Sequence, residues 1–133
     1  MQITRIFHSG FLVETAKRYF IFDYYKGELP KLNPDKPVYV FASHGHQDHY
    51  EPKVFELLKQ QGIVPKLAIL AKDIKEKKYP DGIPVLKAGF NAHYEIEADF
   101  LVDTFHSTDA GVAYLVTLSL IHISEPTRHA QIS

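Results

Sequence analysis

The stretch Val38-Tyr39-Val40-Phe41-Ala42-Ser43-His44-Gly45-His46-Gln47-Asp48-His49-Tyr50 decides which fold and chemistry this chain can have. Its first five residues are an unbroken apolar run of strand length, which is typical of a strand buried on both faces. The segment that follows places three histidines and one aspartate within the six positions from His44 to His49. We therefore expect a loop rich in possible metal ligands at the end of a buried strand.

A helix and a second strand follow this loop. Pro52 suits the first turn of a helix, the apolar residues after it recur at helical spacing, and Gly62 suits the end of the helix. The run Leu67–Ala71 then has the composition of a buried strand. The sequence from 38 to 71 therefore predicts a strand–helix–strand unit.

Further strand signals occur on both sides of this unit. Aromatic and β-branched runs between turn-forming residues predict strands, and Phe11–Glu14 and Tyr19–Asp23 are close enough to pair as a hairpin. The charged segment Lys72–Lys78 predicts a solvated helix or loop in preference to a binding patch. The remaining predicted strands are Ile3–Phe7, Val85–Lys87, His93–Ile96, Phe100–Phe105 and Val112–Val116.

Composition excludes several classes of protein. The 133 residues are 45% hydrophobic and 23% charged, which suits one folded domain and argues against disorder. With 15 Lys+Arg against 16 Asp+Glu, the chain has no basic footprint for nucleic acid or an acidic membrane. The absence of cysteine excludes disulfide scaffolds and thiolate zinc sites. With no membrane-spanning run and no signal peptide, we expect a cytoplasmic protein with a small-molecule substrate.

The residue types in the histidine loop point to a metal site. Imidazole and carboxylate groups are ligands for zinc and similar divalent ions. His44 and His46 alternate, so an extended segment can direct both to one side, and Asp48-His49 can direct a second pair to an adjacent position. Two neighbouring metal ions are what many hydrolases use to activate water. The alternative is a histidine-rich loop with one incidental weak metal site.

The pattern His44-x-His46-x-Asp48-His49 resembles the H-x-H-x-D-H motif of the metallo-β-lactamase superfamily. The resemblance extends over residues 1–117, since His8–Thr15 followed by Tyr19–Asp23 is similar to the opening hairpin of that family. The most similar branch is a group of small hydrolases akin to sugar-lactone lactonases. The resemblance implies an α+β fold, the αββα metallo-β-lactamase sandwich, truncated here to roughly its N-terminal half.

The same resemblance implies a set of metal ligands. His44 and His46 would bind the first Zn²⁺ ion and Asp48 and His49 the second, with Mn²⁺ or Fe²⁺ as alternative metals. Asp48 would also take part in proton transfer as the catalytic residue.

The residues expected around these ligands are less directly indicated. His106 is the candidate for the third ligand of the first metal, with a polar loop residue as the alternative. Asp23 and His8 are candidates for supporting the ligands through hydrogen bonds, although His8 could equally be a turn residue. His93 is expected to be a surface or packing histidine.

The C-terminal segment 118–133 resembles the in-frame translation of a transposase-type sequencing-library adapter. We therefore expect a domain over residues 1–117 and a non-native tail over 118–133; the alternative is a natural amphipathic tail. A bridging aspartate and a final histidine, which the family carries in its second half, do not follow Thr117.

These observations predict a metal-dependent hydrolase that uses a metal-activated water on an ester, lactone or phosphodiester bond. The parent protein would be the enzyme, and this fragment would lack activity. The alternatives are a metal-binding fragment without turnover and a truncated remnant that has no function.

Overall fold

The computed structural model describes residues 1–6, 10–107, 111–122 and 125–132. Contacts divide the chain into two compact units, Met1–Lys87 and Ala88–Ser133. The described elements are β1 (Gln2–Arg5), β2 (Phe11–Glu14), β3 (Tyr19–Phe22), β4 (Val38–Ala42), α1 (Lys53–Gln60), β5 (Leu67–Ala71), a single 3₁₀ turn (Glu76–Lys78), β6 (Val85–Ala88), β7 (His93–Glu97), β8 (Phe100–His106), β9 (Val112–His122) and β10 (Glu125–Ile132).

The first unit is built on a mixed six-stranded sheet in the order β1-β2-β3-β4-β5-β6. The predicted hairpin is confirmed, because β2 pairs antiparallel with β3 from Phe11↔Phe22 to Glu14↔Tyr19. The predicted strand–helix–strand unit is also confirmed, since β4 and β5 flank α1 and pair in parallel. β3 and β4 are parallel as well, so three neighbouring strands run in one direction.

The core of this unit is centred on β3 and β4. All five residues of β4 are buried, as the apolar run Val38–Ala42 predicts. The rings of Phe20 and Tyr39 stack with centroids 5.8 Å apart, and those of Phe22 and Phe41 stack at 4.6 Å. Stacked aromatic pairs add to the free energy of burial, so the strands that lead into the histidine loop are firmly packed.

Helix α1 is short and amphipathic. It begins after Pro52 and buries Val54, Phe55 and Leu58. Gly62 adopts a left-handed conformation with φ of 75°, which ends the helix at the position that the sequence predicts. None of the helices in the described residues is long and apolar enough to span a membrane.

The second unit carries an antiparallel four-stranded sheet in the order β10-β9-β8-β7. Burial alternates along β8, where Phe100, Val102 and Thr104 are buried, as a strand with one covered face requires. β9 continues past residue 117, and its extension pairs with β10. The boundary expected between the domain over residues 1–117 and the tail over 118–133 thus lies within β9. The adapter origin of the tail stays a prediction.

The prediction of an α+β fold, a truncated αββα metallo-β-lactamase sandwich, is wrong. The structure is mostly β, with ten strands in two sheets among the described residues. An αββα sandwich needs helices over the outer face of each sheet, but the described residues contain one α-helix of eight residues. After β5 the sequence forms a 3₁₀ turn and then short strands with alternating burial, which leaves no segment for further covering helices.

Candidate metal centre

The parallel strands β3, β4 and β5 bring three polar segments to one edge of the first sheet. Phe22 pairs with Phe41, and Ala42 pairs with Leu70, so the three strands end at nearly the same level. Asp23 follows β3 directly, the histidine loop follows β4, and Asp73 lies two residues after β5. The carboxyl ends of parallel strands are a common place for functional groups, and here they collect the candidate ligands.

Asp23 joins the end of β3 to the start of the histidine loop. Its Oδ1 accepts a hydrogen bond from the backbone N–H of Ser43, and its Oδ2 accepts one from the Ser43 hydroxyl, both at 2.7 Å. Asp23 has φ of 51°, a left-handed conformation that aspartate tolerates better than most residues. This turn directs the carboxylate back toward the chain that leaves β4.

The same carboxylate also contacts His49. Nδ1 of His49 lies 3.2 Å from Oδ2 of Asp23, while Nε2 lies 3.6 Å from Oδ2 of Asp48. With the proton on Nδ1, the imidazole donates to Asp23 and Nε2 keeps a lone pair for a metal ion. A carboxylate that fixes a ring in this way is the usual arrangement behind a metal-binding histidine.

The three imidazole rings lie next to one another. The ring centroids of His44 and His46 are 5.8 Å apart with nearly parallel planes, and those of His44 and His49 are 4.7 Å apart. A local turn produces this grouping, because the backbone N–H groups of His49 and Tyr50 both donate to the carbonyl of His46 at 3.0 Å. Asp48 belongs to the same turn and is exposed.

Asp73 is a residue of this site that the sequence reasoning missed. Its Oδ2 accepts a hydrogen bond of 2.9 Å from the backbone N–H of Gly45, between the first two histidines. A Cβ atom at Gly45 would lie 3.0 Å from the Asp73 carbonyl oxygen, so the two segments approach as closely as glycine allows. The sequence contains one indication of this role, because Asp73 comes two residues after the strand that is predicted to follow α1.

Two polar atoms at this edge are buried without a hydrogen-bond partner in the described structure. They are Nδ1 of His44 and Oδ1 of Asp73. Buried polar atoms are nearly always paired with protein, water or an ion, and an unpaired imidazole nitrogen is the atom that a metal ion would satisfy. His44 thus fits the role of a ligand through its donor chemistry.

The spacing and orientation of the rings bear on whether the loop fits a metal ion. Two imidazoles that bind one tetrahedral Zn²⁺ at about 2.0–2.1 Å place their ring centroids about 5 Å apart, and those of His44 and His46 are 5.8 Å apart. Their ring planes are nearly parallel, so binding one ion through both rings requires at least one of them to rotate. As the side chains stand, no group of three or more His, Asp or Glu residues within the described part of the chain is arranged to hold a metal ion. His46 and Asp48 are exposed, so both have room to rotate toward a shared position.

Three further histidines were considered in the sequence, namely His106, His93 and His8. His106 belongs to the second unit, at the end of β8, where its ring lies 4.3 Å from that of Phe90. His93 is exposed and its Nδ1 lies 2.6 Å from Oδ1 of Asp103 on the neighbouring strand. His8 lies outside the described residues.

Comparison with known proteins adds no family to this geometry. No protein-family model matches the chain, and no curated protein matches it. The resemblance to the metallo-β-lactamase superfamily therefore rests on the sequence pattern of residues 1–117 and stays a prediction.

Proposed function

We propose that this chain binds a divalent metal ion, Zn²⁺ first among the candidates, through the loop from His44 to His49, and that the site belongs to a metal-dependent hydrolase. The substrate would be a small molecule with an ester, lactone or phosphodiester bond. His44 and His46 form one pair of ligands, and Asp48 and His49 form the other. The proposal includes a cytoplasmic location, which the absence of cysteine from the sequence supports.

One observation carries the proposal: three imidazoles are grouped on one loop, and the carboxylate of Asp23, which is partly buried, lies behind one of them. The His49–Asp23 contact of 3.2 Å is supported by the two hydrogen bonds that Ser43 donates to Asp23. A carboxylate hydrogen-bonded in this way commonly lies behind a metal-binding histidine. The buried, unpaired Nδ1 of His44 points to the same conclusion.

The residues of the chain have separate tasks in the proposed reaction. Asp23 fixes the ring of His49 and its tautomer, while Asp73 fixes the turn at Gly45 and thereby the spacing of His44 and His46. A bound divalent ion supplies a water of lowered pKa and polarises the bond under attack. The exposed carboxylate of Asp48 accepts the proton from the attacking water and returns it to the leaving oxygen.

A second candidate function is metal binding without turnover. The observation that favours it is the lack, within the described residues, of a group of three ligands already converging on one position. Hydrolysis needs reacting groups held close to their productive geometry, and a misplacement of about 1 Å can cost roughly 10²-fold in rate. A loop with looser geometry can still bind an ion.

Turnover separates the two candidates. The chain loaded with Zn²⁺ or Mn²⁺ is assayed on bis(4-nitrophenyl) phosphate, 4-nitrophenyl acetate and γ-butyrolactone. In contrast to the expectation from the sequence that the fragment lacks activity, the hydrolase proposal expects metal-dependent turnover of at least one substrate by this chain. The turnover should be lost in His44→Ala/His46→Ala and kept in His93→Ala. Metal binding with no turnover above the double variant supports the second candidate. Failure to bind any divalent ion contradicts both.

A further inference from the structure

Three lysines and His46 line a cavity beside the histidine loop. The cavity has a volume of about 220 Å³, and we call it the lysine cavity; its walls are Gly45, His46, Asp73, Lys75, Lys77 and Lys78. The sequence predicts the segment Lys72–Lys78 as a solvated charged surface. Its lysines are exposed, but three of them share this cavity with a candidate metal ligand.

Two contacts fasten the lysine segment to the histidine loop. The N–H of Gly45 donates to Asp73 at the start of the segment, and the Tyr50 hydroxyl donates to the carbonyl of Lys78 at its end. Tyr50, which makes the second of these contacts, is buried and 4% exposed. The 3₁₀ turn between these contacts holds the lysines together on one short stretch of chain.

The charge balance of the lysine cavity is positive. Lys75, Lys77 and Lys78 carry three ammonium groups, and none of the three makes an ion pair with a carboxylate of the described residues. The one carboxylate in the wall, that of Asp73, already accepts the Gly45 hydrogen bond through Oδ2. A concave surface with charges of one sign concentrates the potential and attracts the opposite ion.

We propose that the lysine cavity binds the phosphoryl group of the substrate, which makes phosphodiesters the substrate class of this site. The inference rests on the proposed function, and it narrows the three bond types named there to the one that carries a negative charge. Lysine ammonium groups are common phosphate ligands because they act as compact point charges. The cavity is smaller than the roughly 300–1,000 Å³ of a typical ligand pocket, so it suits one charged group beside the candidate metal loop.

Anion binding to the full chain, kept metal-free with a chelator, tests this inference. Binding of inorganic phosphate and of dimethyl phosphate is measured by titration calorimetry, with neutral γ-butyrolactone as the comparison. The triple variant Lys75→Gln/Lys77→Gln/Lys78→Gln should weaken the binding of both phosphates by about tenfold or more. Each exposed pair of charges contributes a modest amount to the binding free energy, and this variant removes three of them. The triple Lys→Arg variant at the same positions should retain binding, because it keeps the charges.

The matched control is Lys31→Gln/Lys53→Gln/Lys59→Gln, which removes three exposed lysines that lie outside the lysine cavity. It should change the phosphate Kd by less than about twofold, because none of these lysines lines the lysine cavity and salt weakens the interaction between exposed charges. Equal weakening in both glutamine variants, no phosphate binding by the native chain, or binding of γ-butyrolactone as tight as that of dimethyl phosphate would overturn the inference. The assay uses no metal, so it can fail while metal binding at His44 and His46 holds, or succeed while that fails.

Discussion

Nδ1 of His49 lies 3.2 Å from Oδ2 of Asp23, and this contact connects the end of β3 to the far end of the loop that follows β4. The same carboxylate holds the near end of that loop through Ser43. Asp23 thus fixes both ends of the segment that carries His44, His46 and Asp48. The geometry of the candidate metal centre depends on one side chain that would not itself bind the metal.

Asp23→Asn should weaken zinc binding by about 10–100-fold, the usual cost of losing a carboxylate behind a histidine ligand. Asparagine tolerates the left-handed φ of 51° and keeps an acceptor for Ser43, so the fold should be retained. Competition titration with a zinc chelator measures the change. The control is Asp103→Asn, which alters the other His–Asp pair, with His93, in the second unit. A Kd for Asp23→Asn within twofold of that of Asp103→Asn would show that Asp23 has no such role.

Gly45→Ala should destabilise the chain by about 1–3 kcal/mol, the usual cost of overpacking. The added methyl group would lie 3.0 Å from the Asp73 carbonyl oxygen, a backbone atom that cannot turn away. Urea denaturation measures the loss. Gly89→Ala is the control, because its nearest neighbour would be the Tyr94 hydroxyl at 3.9 Å, an ordinary contact. If the two alanine variants were equally stable, the close approach of Asp73 to the loop would be refuted.

The Glu14–Lys36 ion pair should make stability depend on pH. The hydrogen bond of 2.9 Å from the Lys36 ammonium lowers the pKa of Glu14 below its ordinary value of 4.5. Folding lowers the pKa of Glu14, so the ion pair stabilises the fold fully at pH values above the pKa of Glu14 in the unfolded chain. This stabilisation is lost as the pH falls through the lower pKa of Glu14 in the folded chain. Glu14→Gln should therefore be less stable than the native chain at pH 7, and this difference should shrink below pH 4.5.

Thermal unfolding from pH 7 to pH 3 measures this difference, with Glu28→Gln as the control. Glu28 is exposed and makes no ion pair in the described part of the chain. If Glu14→Gln is less stable than the native chain by the same amount from pH 7 to pH 3, the Glu14–Lys36 ion pair is not the cause of the difference.

Two truncations test the adapter origin of residues 118–133. Leu118 is 8% exposed and pairs with Phe100, and the N–H of Ser119 donates to the Asp99 carbonyl. A chain that ends at Ser119 keeps Leu118 and should unfold within about 0.5 kcal/mol of the full chain if residues 120–133 come from an adapter and do not stabilise the fold. A chain that ends at Thr117 loses the burial of Leu118 and should be less stable by about 1.5–3 kcal/mol. If the chain that ends at Ser119 is several kcal/mol less stable than the full chain, residues 120–133 are part of the fold.

Short-range patterns in the sequence were sufficient to predict the strands and the helix of the first unit. The apolar run Val38–Ala42 predicts a fully buried strand, and Gly62 predicts the helix end, since each depends on neighbouring residues alone. The fold class was wrong because it was transferred from one motif to the whole chain. The strands after Lys87 show the period-two alternation of an antiparallel sheet, and that signal was given less weight than the resemblance.

The candidate site was predictable only in part. The residues from His44 to His49 are adjacent in sequence, so their grouping follows from one turn. Asp73 was missed because its contact with Gly45 depends on the parallel pairing of β4 and β5, 28 positions apart along the chain at this point. The role proposed for Lys75, Lys77 and Lys78 was not predictable for the same reason, since a run of charges in the sequence shows no cavity until its neighbours in the fold are known.

Zinc stoichiometry of the purified full chain tests the central claim most directly. After saturation with Zn²⁺ and removal of unbound ions, elemental analysis should find about one or more zinc ions per native chain and per His93→Ala chain. His44→Ala/His46→Ala should retain almost none of this metal while keeping the far-UV circular dichroism of the native protein. Equal zinc content in the native chain and the double variant would contradict the account, because the histidine loop would then not be the metal site.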